Sequence, residues 1–206
     1  MADPAKRNKM IKSGWHDPKA ITYNYNSHGF RDEEFDERPC GLAMGCSFTH
    51  GTGIQQMHTW PHQLSRMVDL HFWNLGIGGA SLDTVFRMFR FYSDVLNSKV
   101  VAILLPARQR MEYCEGDGRY VTVLPEDVQN NHHKSFFKEW FSSDENGDLN
   151  REKNLLSIRK HCEDHGIKLI YIDPLTEWYK VCEARDLAHP DADSNLRLAE
   201  QFAKKF

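Results

Sequence analysis

Hydrophobic positions along the chain fall into short apolar runs that alternate with longer amphipathic segments. The runs that predict strands cover residues 41–45, 71–75, 99–105 and 167–172, with a shorter one at 119–124. The third run continues without a polar break from Val100 to Leu105 and ends at Pro106, which is typical of a central parallel strand buried on both faces.

The amphipathic segments predict helices between these strands. Apolar residues at helical spacing mark 58–69, the segment after Ser81, 149–165 before a capping Gly166, and the C-terminal segment from Ser194 or Asn195. Weaker patterns predict helices over 125–141 and from Pro174 to about Ala184, and a turn over 144–148. Strands alternating with helices indicate an α/β fold whose mostly parallel sheet is covered on both sides.

The remaining segments set the domain organisation. Residues 1–20 predict an irregular lead-in, and residues 21–35 a strand or extended arm that turns at Gly29. A length of 206 residues suits one domain, which we place at 21–206.

Composition excludes several classes of protein. A net charge of −3 gives no basic face for nucleic acid, and no apolar run approaches the roughly 20 residues that span a bilayer. Residues 1–13 are basic and polar without the apolar core of a secretory signal, so we expect a cytoplasmic protein. The five cysteines form no CxxC pair, so we expect buried thiols in a reducing compartment rather than disulfides or a cysteine-rich zinc site.

Two segments far apart in the sequence carry candidate chemistry. Ser47 follows the first apolar run and lies between Gly45 and Gly51, where its hydroxyl would be either a nucleophile or a helix cap. Asp186 and His189 are three positions apart, so the carboxylate can reach Nδ1 of the ring and leave Nε2 facing outward; ordinary loop contacts are the alternative. A serine hydroxyl needs such an oriented base to attack at neutral pH.

A third segment, from Asn74 to Gly79, is a glycine-rich strand end. Its backbone N–H groups can donate to a negative oxygen, although most glycine clusters mark tight turns.

Taken together, these three segments resemble the SGNH (GDSL-type) hydrolase superfamily over residues 40–206. The resemblance implies a three-layer α/β/α, flavodoxin-like architecture that cleaves esters and thioesters without metal or organic cofactor. It implies Ser47 as nucleophile, His189 as base and Asp186 as the group that orients the base. The N–H groups of Ser47 and Gly79 would hold the oxyanion. Residues 26–31 also resemble an N-terminal segment of compact members.

The chain departs from this family at two positions. Cys46 stands where the family has aspartate before the serine, which concerns local hydrogen bonding more than the triad. After the central strand, Arg108 falls near the asparagine that donates to the oxyanion, with Gln109 and Arg110 close by. Arg108 would replace that donor, bind a substrate carboxylate or phosphate, or form a surface pair with Glu112.

Other groupings favour structural explanations. His58 and His62 have the spacing of a zinc chelate without an evident third ligand, so we expect no metal site. Residues 144–150 begin like a calcium loop but lack its glycine and its final glutamate. The aromatic residues at 136, 137, 140 and 141 suggest core packing, or a lid over a substrate.

The sequence therefore predicts a serine esterase that acts on a small-molecule or carbohydrate ester, with no nucleic-acid or membrane partner. Two alternatives stay open. One is a binding module of the same fold that recognises a carbohydrate or an acidic ligand through Arg108 and Arg110. The other is an O-acyltransferase, in which an acceptor hydroxyl replaces water.

Overall fold

The computed structural model describes residues 4–12, 21–130, 133–177 and 182–206. Its strands are β1 (Cys40–Gly45), β2 (Phe72–Gly76), β3 (Ser98–Leu104), β4 (Met111–Cys114), β5 (Tyr120–Val123) and β6 (Lys168–Ile172). Four of them form a parallel sheet in the order β2-β1-β3-β6, and β4 pairs with β5 as a separate antiparallel hairpin. The predicted α/β class with a mostly parallel sheet is confirmed.

Helices cover both faces of the sheet. They are α1 (Pro4–Lys12), α2 (Ser47–His50), α3 (Trp60–Val68), α4 (Leu82–Val95), α5 (Lys134–Trp140), α6 (Asp144–His165) and α7 (Ala192–Lys205). α3 and α7 pack together on one face, and α4 and α6 pack together on the other. This gives the three layers that the resemblance implied.

The sheet has a hydrophobic core on each side because successive strand residues point to opposite faces. In β1, Leu42 and Met44 join the cluster under α4 and α6, while Ala43 joins the cluster under α3 and α7. Trp60 of α3 stacks on Phe202 of α7 with ring centroids 4.4 Å apart. Continuous burial of β1 explains its unbroken apolar run, and β2 is equally buried although it contains Asn74.

The turn predicted at 144–148 is wrong, because α6 already begins at Asp144. Ser143 caps the helix by accepting a hydrogen bond from the N–H of Glu145, and acidic residues in a first turn favour a helix N-terminus. Gly147 has a packing role there: a Cβ at this position would lie 2.7 Å from the carbonyl oxygen of Arg108. The helical frame also removes the calcium-loop alternative.

Other boundaries also differ from the predictions. Residues 4–12 are helical rather than irregular, and the segment 125–141 divides into a 3₁₀ helix at Pro125–Asn130 and α5. Of the helix predicted from Pro174, residues 174–177 form turns, residues 178–181 lie outside the described residues, and Glu183 makes a β-bridge with Pro190. α7 begins two residues early, capped by Asp191.

Candidate active site

Ser47 is the first residue of α2 and follows β1 after a single intervening residue, Cys46. The helix lies so close to the strand ends that two positions must be glycine. A Cβ on Gly76 would lie 2.3 Å from the backbone nitrogen of His50, and a Cβ on Gly45 would lie 2.4 Å from Oγ1 of Thr49. These contacts fix the turn that places Ser47, partly exposed, at the carboxyl edge of the sheet.

Asp186 and His189 form a hydrogen-bonded pair in the loop before α7. Oδ2 of Asp186 accepts from Nδ1 of His189, while Oδ1 accepts from the N–H groups of Ala188 at 3.1 Å and His189 at 3.0 Å. The Asp186 side chain is buried, and the His189 ring is partly exposed. A neutral ring that donates from Nδ1 carries its lone pair on Nε2, the atom that a general base requires.

The surroundings of Asp186 keep its carboxylate ionised. Burial alone would raise the pKa, but the hydrogen bonds from the backbone and ring of His189, and from Ala188, outweigh it and lower the pKa below the ordinary value. The carboxylate therefore stays charged at neutral pH and can stabilise a protonated ring.

The structure brings α2 and this loop together. The ring of Phe48, which follows Ser47, meets the His189 ring edge-on with centroids 5.7 Å apart. On the other side, a Cβ at Gly53 would lie 3.4 Å from Cγ of Asp186. No hydrogen bond joins the Ser47 and His189 side chains among the described residues, and catalytic hydrogen bonds often tighten only when substrate is bound.

The glycine-rich loop lies beside the same strand ends. The N–H of Ile77 donates to the carbonyl of Gly45 at 3.1 Å, and Gly79 has a φ of +76° in the turn that Ala80 closes onto Ile77. Within the described part of the chain, no acceptor is recorded for the N–H of Ser47 or of Gly79. Both remain candidates for the oxyanion donors that the resemblance implied.

A polar network fixes the end of that loop. Ser81 caps α4 through a reciprocal capping box with Thr84. The carboxylate of Asp83 accepts from Asn150 at 3.0 Å and from Asn154 at 2.8 Å, both on α6. The glycine loop is therefore attached to the α4–α6 layer as well as to β1.

Arg108 is held by two carboxylates of α6. Its Nη1 donates to Asp148 at 3.0 Å, its Nη2 donates to Asp144 at 2.6 Å, and its Nε is buried. These ion pairs engage Nη1 and Nη2 of Arg108, and the oxyanion role predicted for Arg108 stays a prediction. The suggested pair with Glu112 is wrong, because Glu112 binds Arg87 at 2.7 Å.

Arg110 lies closer to the glycine loop. Its Nη1 donates to the carbonyl of Ala80, next to Gly79, at 3.4 Å. Arg110 and Arg108 line a cavity of about 480 Å³ with Cys46 and Phe48, the two neighbours of Ser47. The cavity continues along apolar residues at the ends of β3 and β6: Leu104, Leu105, Pro106, Pro174 and Leu175. A small acyl or alkyl group fits such a lining.

Sequence reasoning missed the role of Arg31. Its buried guanidinium donates to the carbonyl oxygens of Gly51 at 2.5 Å and Ile54 at 2.7 Å, and it stacks on Tyr23 at 4.2 Å. Burial lowers the pKa of Arg31. The arginine thereby fastens the end of α2 to the N-terminal arm; its place in the 26–31 motif was the signal for this role.

The other candidates have structural roles or no assigned role. Phe137 is buried with Val123 and Val128, whereas Phe136 is exposed, so the aromatic group is only partly core. His58 and His62 gain no third ligand among the described residues. Of the five free cysteines, Cys40, Cys46 and Cys162 are buried as predicted, whereas Cys114 and Cys182 are exposed. None of the helices in the described ranges is both long and apolar enough to span a bilayer.

Comparison with known proteins gives similarity at the level of structure alone. No family model and no curated protein matches the chain. Similar solved structures include TesA, with 13% identity over 78% of this chain and 94% of that one and a TM-score of 0.48. Another is the psychrotrophic esterase EstA from Pseudoalteromonas sp., with 14% identity over 82% and 97% and a TM-score of 0.45.

A third is a member of the lipolytic protein G-D-S-L family from Veillonella parvula, with 12% identity over 82% of this chain and 97% of that one and a TM-score of 0.39. The roles of Ser47, Asp186 and His189 depend on the geometry of this chain.

Proposed function

We propose that this protein is a serine ester hydrolase that acts through an acyl-serine intermediate on a small-molecule or carbohydrate ester. The observation that carries the proposal is the pair of buried Asp186 and partly exposed His189, packed against the helix that begins with Ser47. A base oriented by a carboxylate beside a serine is the arrangement that activates a hydroxyl.

In the proposed first half-reaction, Oγ of Ser47 attacks the ester carbonyl carbon as its proton passes to Nε2 of His189. The oxyanion is stabilised by the N–H groups of Ser47 and Gly79. The carbon–oxygen bond to the alcohol then breaks, and the departing oxygen takes the proton from His189. An acyl group remains on Ser47.

In the second half-reaction, His189 accepts a proton from water as the water oxygen attacks the acyl carbon. The bond to Oγ of Ser47 breaks, Oγ regains the proton from His189, and the carboxylic acid leaves. Asp186 stays ionised throughout and stabilises the transient imidazolium. The cavity beside Cys46 and Phe48, lined by apolar residues together with Arg108 and Arg110, is the proposed acyl or alcohol pocket.

The test is turnover of p-nitrophenyl acetate by wild type and Ser47→Ala, with labelling by a fluorophosphonate probe. We expect turnover to fall by several orders of magnitude and the label to map to Ser47. Cys46→Ala, which removes the thiol next to Ser47, is the matched control. We expect this variant to keep both the turnover and the label of wild type. Equal inertness of wild type and Ser47→Ala towards a panel of short-chain esters, with no label, would overturn the proposal in favour of a binding module.

A further inference from the structure

The C-terminal turns of α4 and α6 gather a carboxylate and two imidazoles away from the proposed active site. Asp94 comes from α4, and His161 and His165 come from α6. One ligand atom from each of them lies within 4.8 Å of the other two. Asp83 meets Asn150 near the starts of the same helices, so this cluster lies at the opposite edge of the sheet from Ser47.

One of the separations is close to that between the ligands of a tetrahedral metal ion. Zinc bonds to nitrogen and oxygen of about 2.0–2.1 Å place tetrahedral ligand atoms about 3.4 Å apart. Nε2 of His161 and Oδ1 of Asp94 are 3.6 Å apart, beyond an ordinary hydrogen bond and close to that spacing. Asp94 and His165 are exposed, so their side chains have room to rotate towards a bound ion.

The two rings are oriented for a shared ion. They stack with centroids 4.1 Å apart and an interplanar angle of 16°. Nδ1 of His165 lies 2.8 Å from the carbonyl oxygen of His161, so the neutral ring donates there and carries its lone pair on Nε2. Histidines that bind metals usually donate their other ring N–H in this way, which sets the tautomer and the direction of the ligand atom.

His161 is the anchored member of the group. Phe89 packs edge-on against its ring with centroids 5.0 Å apart, and Oγ of Ser93 lies 3.2 Å from Nε2. A metal would replace that serine contact. Asp164, a further acid at this end of α6, is paired with Lys160.

We propose that Asp94, His161 and His165 form a binding site for a divalent transition-metal ion of the zinc type, with water in the remaining position. Two imidazoles and one carboxylate select zinc, cobalt or nickel over magnesium and calcium, which prefer all-oxygen ligands. The ion would join the ends of α4 and α6. The site is independent of the proposed esterase chemistry.

The test uses the full chain stripped of metal with a chelator. Zinc is titrated by calorimetry, and cobalt is followed by the visible bands of a tetrahedral ion. We expect one ion per chain, a higher thermal midpoint with zinc, and no response to magnesium. Asp94→Asn and His165→Ala should each weaken zinc binding at least tenfold, because each removes one of three ligands.

The matched control is the double variant His58→Ala/His62→Ala, which removes another closely spaced histidine pair and should bind zinc as wild type does. Asp94 and His165 are exposed, so melting curves without metal should show that their variants fold normally. Unchanged zinc affinity in both ligand variants, or no saturable binding below millimolar zinc, would overturn the site.

Discussion

Two groupings of carboxylate and imidazole lie at opposite edges of the sheet and differ in how the carboxylate is satisfied. Asp186 is buried, and both of its oxygens accept hydrogen bonds from its own loop. Asp94 is exposed, and its closest recorded imidazole nitrogen is 3.6 Å away. A carboxylate saturated by hydrogen bonds orients a ring, whereas one with free lone pairs is available to a cation. The hydrogen bonds that each carboxylate accepts therefore distinguish Asp186, which orients a base, from Asp94, the proposed metal ligand.

The largest loss of turnover should come from replacing Asp186, whose two oxygens both accept hydrogen bonds. In Asp186→Asn the side-chain oxygen can still accept from Ala188 and His189 N–H groups, but the amide favours the wrong tautomer of the His189 ring. We expect turnover of p-nitrophenyl acetate to fall about 10⁴-fold with little change in fold. Asp94→Asn, the same exchange at the other edge, should leave turnover unchanged; equal losses in both variants would remove the distinction.

The next prediction tests whether displacement of α2 relative to the Asp186–His189 pair lowers turnover. A methyl group in Gly76→Ala meets the helix backbone at His50, 2.3 Å away. We expect turnover to fall about 10²-fold, as small displacements of catalytic groups do, with stability reduced by about 1–3 kcal/mol. Gly78→Ala is the control, because nothing lies within 4 Å of a Cβ there. Kinetics and chemical unfolding of both variants measure the difference.

The next prediction compares two arginines that follow β3. Arg108 is paired with carboxylates, and Arg110 is not. Arg110→Ala removes the cation beside the Gly79 loop, and we expect about a tenfold loss in kcat/KM. Arg108→Ala removes partly exposed ion pairs, which contribute less than about 1 kcal/mol to stability, and should change kcat/KM less. A loss of 10²-fold or more in Arg108→Ala alone would give Arg108 the oxyanion role predicted from the sequence.

The smallest effect concerns His50, an imidazole without a carboxylate partner among its recorded contacts. Burial first, then the positive charges of Arg31 and His189, lower its pKa to about 4. As the pH falls, His50 is protonated in the unfolded chain before it is protonated in the folded chain, because its pKa is higher in the unfolded chain. The contribution of neutral His50 to stability is therefore present above pH ~6.5 and is lost as the pH falls towards 4. Between pH 7 and 5 we expect a loss on the order of 1 kcal/mol after allowing for solvent screening.

Unfolding by denaturant at both pH values should show a smaller loss in His50→Gln, which cannot titrate. His62→Gln, which replaces an exposed histidine, is the matched control. An identical pH dependence in wild type and His50→Gln would contradict the assignment.

Local patterns predicted the sheet and the candidate site residues. Each core strand carries its own apolar run, and Asp186 and His189 are close enough in sequence for their contact to depend on one loop. The partners of Arg108 are different, because Asp144 and Asp148 lie 36 and 40 positions away. Their segment has the composition of a turn, and it becomes helical where Ser143 caps it and Gly147 lets Arg108 approach. The cap is local, whereas the contacts of Arg108 with Asp144, Asp148 and Gly147 depend on tertiary packing.

Arg31 has a consequence for how this protein tolerates change. Every hydrogen bond recorded for its guanidinium ends on a main-chain oxygen, at Thr22, His50, Gly51 or Ile54. Main-chain oxygens remain whatever side chain a residue carries. The side chains at positions 22 and 54 can therefore change during evolution without removing these hydrogen bonds. Replacement of Arg31 itself would remove all of them.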